Sequence, residues 1–144
     1  SKNIAKAIVN ARFLEKITRT SQLNEILSSF LPKGLENKIL AKVYQALRIE
    51  VNQELQALKE VLLQLPSLVK KGGIISFITY HSIEDRIVKR FIQNGCFDSE
   101  SPKNEFGVAK IPFKKTFKFI TPSIKEIKSN SRARSAKLRS AIKL

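Results

Sequence analysis

The chain has 144 residues, with 27 Lys and Arg against 12 Asp and Glu, a formal charge of +15 and an isoelectric point near 10.2. That excess points to a polyanionic partner, nucleic acid first, while 42% hydrophobic content is ordinary for a folded domain. No apolar run nears the ~20 residues of a membrane helix, and the N-terminus lacks a signal-peptide core, so a cytoplasmic protein with no membrane partner is expected. Cys96 and His81 are the only residues of their kinds, which leaves no disulfide framework and no Cys/His zinc site, so no metal is expected.

The charge is uneven. Residues 1–50 carry 9 basic and 4 acidic groups, residues 51–101 carry 6 of each, and residues 102–144 carry 12 basic and 2 acidic groups, so the last third supplies +10 of the excess. A basic tail on a hydrophobic body suggests RNA or DNA contact there. The chain begins at Ser1 and contains no Met, which leads us to expect a fragment.

In chain order, Ile4, Ile8 and Ala11 recur at helical spacing through about Phe13. Thr20 or Ser21 is expected to cap a second helix, whose stripe is Leu23, Ile26, Leu27, Phe30 and Leu31, and Pro32-Lys33-Gly34 ends it. A long pattern from Val43 through Leu47, Val51, Leu55, Leu58 and Leu62 to Leu65 stops at Pro66; its length allows a kink or two helices. Gly72-Gly73 then permits a tight turn, and Ile74–Tyr80, β-branched and aromatic, predicts a buried strand. Ser82 is expected to cap the next helix, with Glu84 and Asp85 suited to its positive end, Ile87, Val88, Phe91 and Ile92 as its apolar face, and Asn94-Gly95 as its stop. Residues 98–107 read as a polar loop, and Phe113–Ile120 as a strand with one wet face. A short helix follows from Pro122-Ser123 through Ile127, then a last strand over Ala133–Ile142. Helices first and strands alternating with helices after them make an α/β protein. A continuously apolar strand at Ile74–Tyr80 asks for neighbours on both edges and helices on both faces, more than these elements provide.

Three segments together resemble one family. Residues 72–89 (Gly-Gly, then Ile-Thr-Tyr-His-Ser-Ile-Glu-Asp-Arg-Ile-Val-Lys), residues 45–55 (Gln-Ala-Leu-Arg-Ile-Glu-Val-Asn-Gln-Glu-Leu) and residues 132–139 (Arg-Ala-Arg-Ser-Ala-Lys-Leu-Arg) are similar, in this order, to the bacterial 16S ribosomal RNA cytosine-N4 methyltransferases, the RsmH or MraW family. The resemblance covers nearly the whole chain. It departs in Tyr80 where Phe is usual, Ile83 for Leu and Ser131 for a common Pro, and the Asp/Asn-Pro-Pro-Tyr motif of many other amino-methyltransferases is absent here. It implies an S-adenosylmethionine-dependent enzyme with a Rossmann-like methyltransferase sheet and an inserted helical substrate-binding domain. Residues 1–50 would be part of that RNA-binding insertion and residues 51–144 the C-terminal part of the methyltransferase domain. It also implies that the cofactor's principal contacts lie upstream of residue 1, with 16S rRNA in the small ribosomal subunit as partner.

Methylating an exocyclic cytosine amine is hard because its lone pair is delocalised into the ring, so holding an unstacked base in line with the methyl donor should dominate. Tyr80, His81 and Ser82 leave the carboxyl end of one strand, where open α/β sheets bind ligands; Tyr80 would stack on the base while His81 or Ser82 bonds its edge. The plainer reading is a core tyrosine and a helix-capping serine. Glu84, Asp85 and Arg86 would orient His81 or contact RNA, or simply match the helix dipole. Arg48 and Asn52, one helical turn apart, would grip RNA or brace a domain. Arg132, Arg134, Lys137 and Arg139 are expected on one strand, Arg132 and Arg134 projecting together, as a phosphate-binding cluster that no acidic neighbour neutralises; the plainer reading is a solvated basic edge. A non-enzymatic basic RNA-binding module on the same scaffold is the alternative to the enzyme.

Overall fold

The computed structural model describes residues 2–144, which divide into two compact units between Gln53 and Glu54. The first is helical: α1 (Lys2–Leu14), α2 (Thr20–Ser28) and α3 (Glu36–Asn52). Leu23 and Leu27 of the expected stripe are its buried side chains, and Tyr44 of α3 donates its hydroxyl to Asn24 Oδ1 (2.7 Å) and the Thr20 carbonyl (3.2 Å) of α2. Neither Thr20 nor Ser21 caps α2. The cap position is Arg19, whose guanidinium has no acceptor to offer, and Gln22 supplies one instead, taking the backbone N–H groups of Thr18 (2.9 Å) and Arg19 (3.0 Å).

Of the two possibilities for the long apolar pattern, the chain adopts two helices. Gln53, in the left-handed region at φ 53°, separates α3 from α4 (Glu54–Leu68), and its side-chain amide donates to the Glu50 carbonyl at 2.6 Å. Pro66 does not end α4. It sits in the last turn, where the missing N–H costs one bond and Val69 still donates to Leu65 at 2.9 Å.

The second unit lays α4 and α5 (Ser82–Asn94) against a three-stranded antiparallel sheet of order β1-β3-β2, from β1 (Ile74–Thr79), β2 (Phe113–Lys115) and β3 (Lys137–Lys143). A short α6 (Ile124–Ser129) and a 3-10 turn (Ser131–Ser135) lead into β3. Ile74 pairs with Ile142 and Thr79 with Lys137, and Phe113 pairs with Lys143 on the other edge. Side chains alternate faces along a strand, so Ile75, Ala141 and Phe113 meet Leu62, Val88, Phe91 and Ile92 in one core, with Phe91 stacked 5.8 Å from Phe97 and tilted 6.0 Å from Phe113.

Three strand expectations change. β1 is covered on one face only: Ile75 and Thr79 are buried while Ile74 and Ile78 are 66% and 61% exposed, because both packing helices lie on the same side. The expected strand 113–120 stops at Lys115, since three residues, Phe117–Phe119, stand opposite the single Arg139; Thr116 donates to the Ser140 carbonyl (3.1 Å) before them and Ile120 to that of Leu138 (3.0 Å) after them. The last strand begins at Lys137 rather than Ala133, residues 131–135 being a 3-10 turn in which Asn130 Oδ1 accepts from the Arg132 N–H (3.2 Å).

Candidate functional site

Where β1 ends, the chain passes through Tyr80 and His81 into α5, so three polar side chains leave one strand end. His81, not Ser82, is the helix cap: its backbone is extended (φ −138°, ψ 160°) and its Nδ1 accepts from the Glu84 N–H at 3.4 Å. Glu84 answers by accepting the Tyr80 N–H on Oε2 (3.1 Å), a reciprocal capping arrangement in which an imidazole replaces the usual hydroxyl. Because Nδ1 accepts, the neutral ring carries its proton on Nε2, which is buried and faces Glu84 Oε1 at 3.0 Å, in ion-pair range without the alignment of a hydrogen bond. Nδ1 is therefore committed to the cap, whereas Nε2 is a buried N–H with no hydrogen-bond partner among the described residues. Tyr80 differs: the residue is 56% exposed beside this pair, while Ser82 is exposed at the first helical position. Glu54, His81 and Glu84 bring one potential ligand atom each within 4.8 Å of the others, although two of the three already face one another.

Asp85, one residue further on, is buried and reaches across to the sheet. Arg139 grips it with both sides of its guanidinium, Nε to Oδ1 at 2.7 Å and NH2 to Oδ2 at 3.1 Å, and Lys137 Nζ donates to Oδ2 at 3.2 Å. Burial pushes the Asp85 carboxyl up, but the hydrogen bonds and charges of Arg139 and Lys137 outweigh it and hold the group below its ordinary value. This overturns the expectation that no acidic neighbour neutralises the basic cluster. Lys137 and Arg139, two residues apart on a strand, point to the same face and share one carboxylate. Arg132 and Arg134 do not project from a strand at all; both are exposed on the 3-10 turn. Arg48 and Asn52 lie on α3 in the helical unit, each engaged in contacts of its own.

Inspection of the sequence missed Asp85 as the organiser of these cations, and Phe119, whose ring lies 5.2 Å from the Arg139 guanidinium, 5.4 Å from Lys137 Nζ and 5.8 Å from Lys118 Nζ. The signal available was the alternation of Lys137 with Arg139 on the strand face that continues into Ala141, which demands a counter-charge on whatever packs over it.

An α/β unit with polar side chains leaving a strand end for a helix is a common ligand-binding architecture, and comparison with known proteins narrows it. The chain belongs to the MraW methylase family, which matches residues 1–144. It is 53% identical over 141 residues to the ribosomal RNA small subunit methyltransferase H of Christiangramia forsetii, covering 98% of this chain and 47% of that protein. The protein of the same name in Flavobacterium psychrophilum is 54% identical over 140 residues (97% and 48%), and that of Bacteroides fragilis 44% identical over 144 residues (99% and 47%). The chain thus spans about half the length of the curated relatives it matches.

Proposed function

We propose that this chain is part of an S-adenosylmethionine-dependent methyltransferase that modifies N4 of a decoding-centre cytidine in the 16S rRNA of the small ribosomal subunit, in the cytoplasm. The observation that carries this reading is identity near 50%, over nearly the whole chain, to proteins named as small-subunit rRNA methyltransferases. On this reading residues 1–50 belong to a helical RNA-binding insertion, with Arg48 and Asn52 at its substrate face, and residues 51–144 belong to a Rossmann-like methyltransferase domain. S-adenosylmethionine would supply the methyl group. On the same reading, and as the family resemblance implies, the cofactor's principal contacts lie in a part of the relatives' length that this chain does not span.

Within the chain, the exposed ring of Tyr80 offers the wall on which an unstacked cytosine can lie, and the His81–Glu84 pair fixes the backbone that carries it. Ser82 is placed to bond the base edge, and of the His81 ring only Nε2, which has no hydrogen-bond partner among the described residues, is left to do the same. Arg132 and Arg134 supply phosphate contacts, while Lys137 and Arg139 are mainly occupied with Asp85. The test is single-turnover methyl transfer to small ribosomal subunits by a protein of the relatives' full length carrying this chain. Tyr80→Leu should lower the rate at least about tenfold and Tyr80→Phe should preserve it; equal rates for both would remove Tyr80 from the site. The charge of residues 102–144, 12 basic groups against 2 acidic, supports one other reading, a basic RNA-binding module without catalysis. RNA binding without methyl transfer in the same assay would select it.

A further inference from the structure

The three residues that bulge from the sheet opposite Arg139 form one wall of a cleft of about 340 Å³, whose other walls are α5 and the exposed end of β2. Lys89, Lys115, Lys118 and Arg139 line it together with Phe117 and Phe119, and no carboxylate is among its lining residues. Arg139 is partly neutralised by Asp85, but among the described residues Lys89, Lys115 and Lys118 form no ion pair. The wall is fixed before any ligand arrives: Thr116 and Ile120 tie both ends of the bulge to β3, and Arg139 NH1 donates to the Lys118 carbonyl at 3.2 Å. Phe119 is held under three cations, whereas Phe117 lines the cleft and is 36% exposed.

We infer that this cleft binds one unpaired nucleotide of the substrate RNA, its phosphates between Lys89, Lys115 and Lys118 and its base against Phe117. Cations beside an exposed aromatic are what single-stranded nucleic acid uses, charge for the backbone and a π-face for any base. The volume lies at the small end of ligand sites, roughly 300–1,000 Å³, which suits a single nucleotide. A positively charged sulfonium would be repelled here, so the cleft is not a cofactor pocket. Nor is it the place of the methylated base. Lys89 and Gln93 stand about 10–17 Å along α5 from Ser82, at 1.5 Å per residue. The nucleotide is a neighbour in the strand, and its capture would set which base reaches Tyr80. The inference rests on the RNA reading given above.

The experiment measures binding of a fluorescent oligouridylate to the 144-residue chain across salt concentrations, with thermal unfolding recorded for each variant. K89Q/K115Q/K118Q should flatten the log–log salt slope by about 1 to 2, at roughly 0.7 per phosphate released on a single strand. K103Q/K125Q/K128Q, with the same charge change outside the cleft, should flatten it less. F117L should weaken oligouridylate binding about fivefold or more and leave an abasic oligomer of equal length unaffected. Equal flattening by both lysine triples, or an F117L effect that is absent or shared by the abasic oligomer, overturns the cleft while leaving RNA binding intact. No RNA binding by the unaltered chain overturns both the cleft and the RNA reading beneath it.

Discussion

Asp85 sits in the first turn of α5, where a carboxylate is favoured by the helix dipole, but its partners are Arg139 and Lys137, 54 and 52 positions later. Breaking a buried pair costs about 3–5 kcal/mol, and the 35% exposure of the Lys137 side chain lets water recover part of that, so Asp85→Ala should destabilise the chain by about 2–4 kcal/mol in urea titration. The carboxyl is depressed in the folded state, so its contribution is complete above the unfolded value of about 4 and is lost as pH falls through the folded value. The gap in urea midpoint between the native chain and Asp85→Asn should therefore be constant from about pH 5 to 7 and shrink below about pH 4. His81 poses a different question, since its cap alone explains its position. Asn caps helices as well as Ser or Asp does, so His81→Asn should keep the melting temperature near that of the native chain while His81→Ala lowers it. If the ring assists methyl transfer, both variants of the full-length protein should be slower by roughly one to three orders of magnitude with RNA affinity little changed. A normal rate for His81→Asn would leave His81 as a cap alone.

At the scale of elements, two glycines with nearly the same backbone separate strain from crowding. Gly72 (φ 78°) and Gly95 (φ 71°) both occupy the left-handed region, but a Cβ on Gly72 meets nothing within 4 Å, whereas one on Gly95 would lie 2.5 Å from the Lys110 carbonyl oxygen and 3.0 Å from Pro112 Cδ. Gly72→Ala should cost about 1 kcal/mol, the left-handed penalty alone. Gly95→Ala adds overpacking of about 1–3 kcal/mol and should unseat the segment leading into β2 from the end of α5. Equal urea midpoints for the two variants would show that residues 110–112 yield freely. The stop at Asn94-Gly95 was readable because glycine is the usual residue there. The break at Gln53 was not, since neither Gly nor Pro marks it.

For the whole molecule, the charge of +15 has two destinations. Lys137 and Arg139 bind Asp85 within the fold, while on the proposed reading Arg132, Arg134 and the cleft lysines meet phosphate. A single-stranded RNA with roughly four to six of its phosphates neutralised by the chain should give a salt slope of about −3 to −4. Arg132→Ala/Arg134→Ala should flatten that slope without a change in melting temperature; Arg139→Ala should instead lower stability, because it leaves Asp85 buried beside a single lysine. Titration calorimetry of the chain with S-adenosylmethionine should detect no micromolar binding. Stoichiometric uptake would place cofactor contacts within these residues.

Composition and motif spacing alone carried the α/β character, the helix stripe through Leu23 and Leu27, the strand at Ile74, the stop at Gly95, the basic last third and the family. The elements among these are written in residues a few positions apart, where local sterics and periodicity decide the outcome, and the charge and the family in composition and in motifs that need no tertiary contact. The tertiary structure alone decided which cations are spent. Asp85 meets Lys137 and Arg139 because β3 runs antiparallel between β1 and β2 under α5, and that pairing closes a loop of more than fifty residues that no local pattern encodes. The same register sets three residues opposite Arg139, which turns an expected strand into the wall of a cleft.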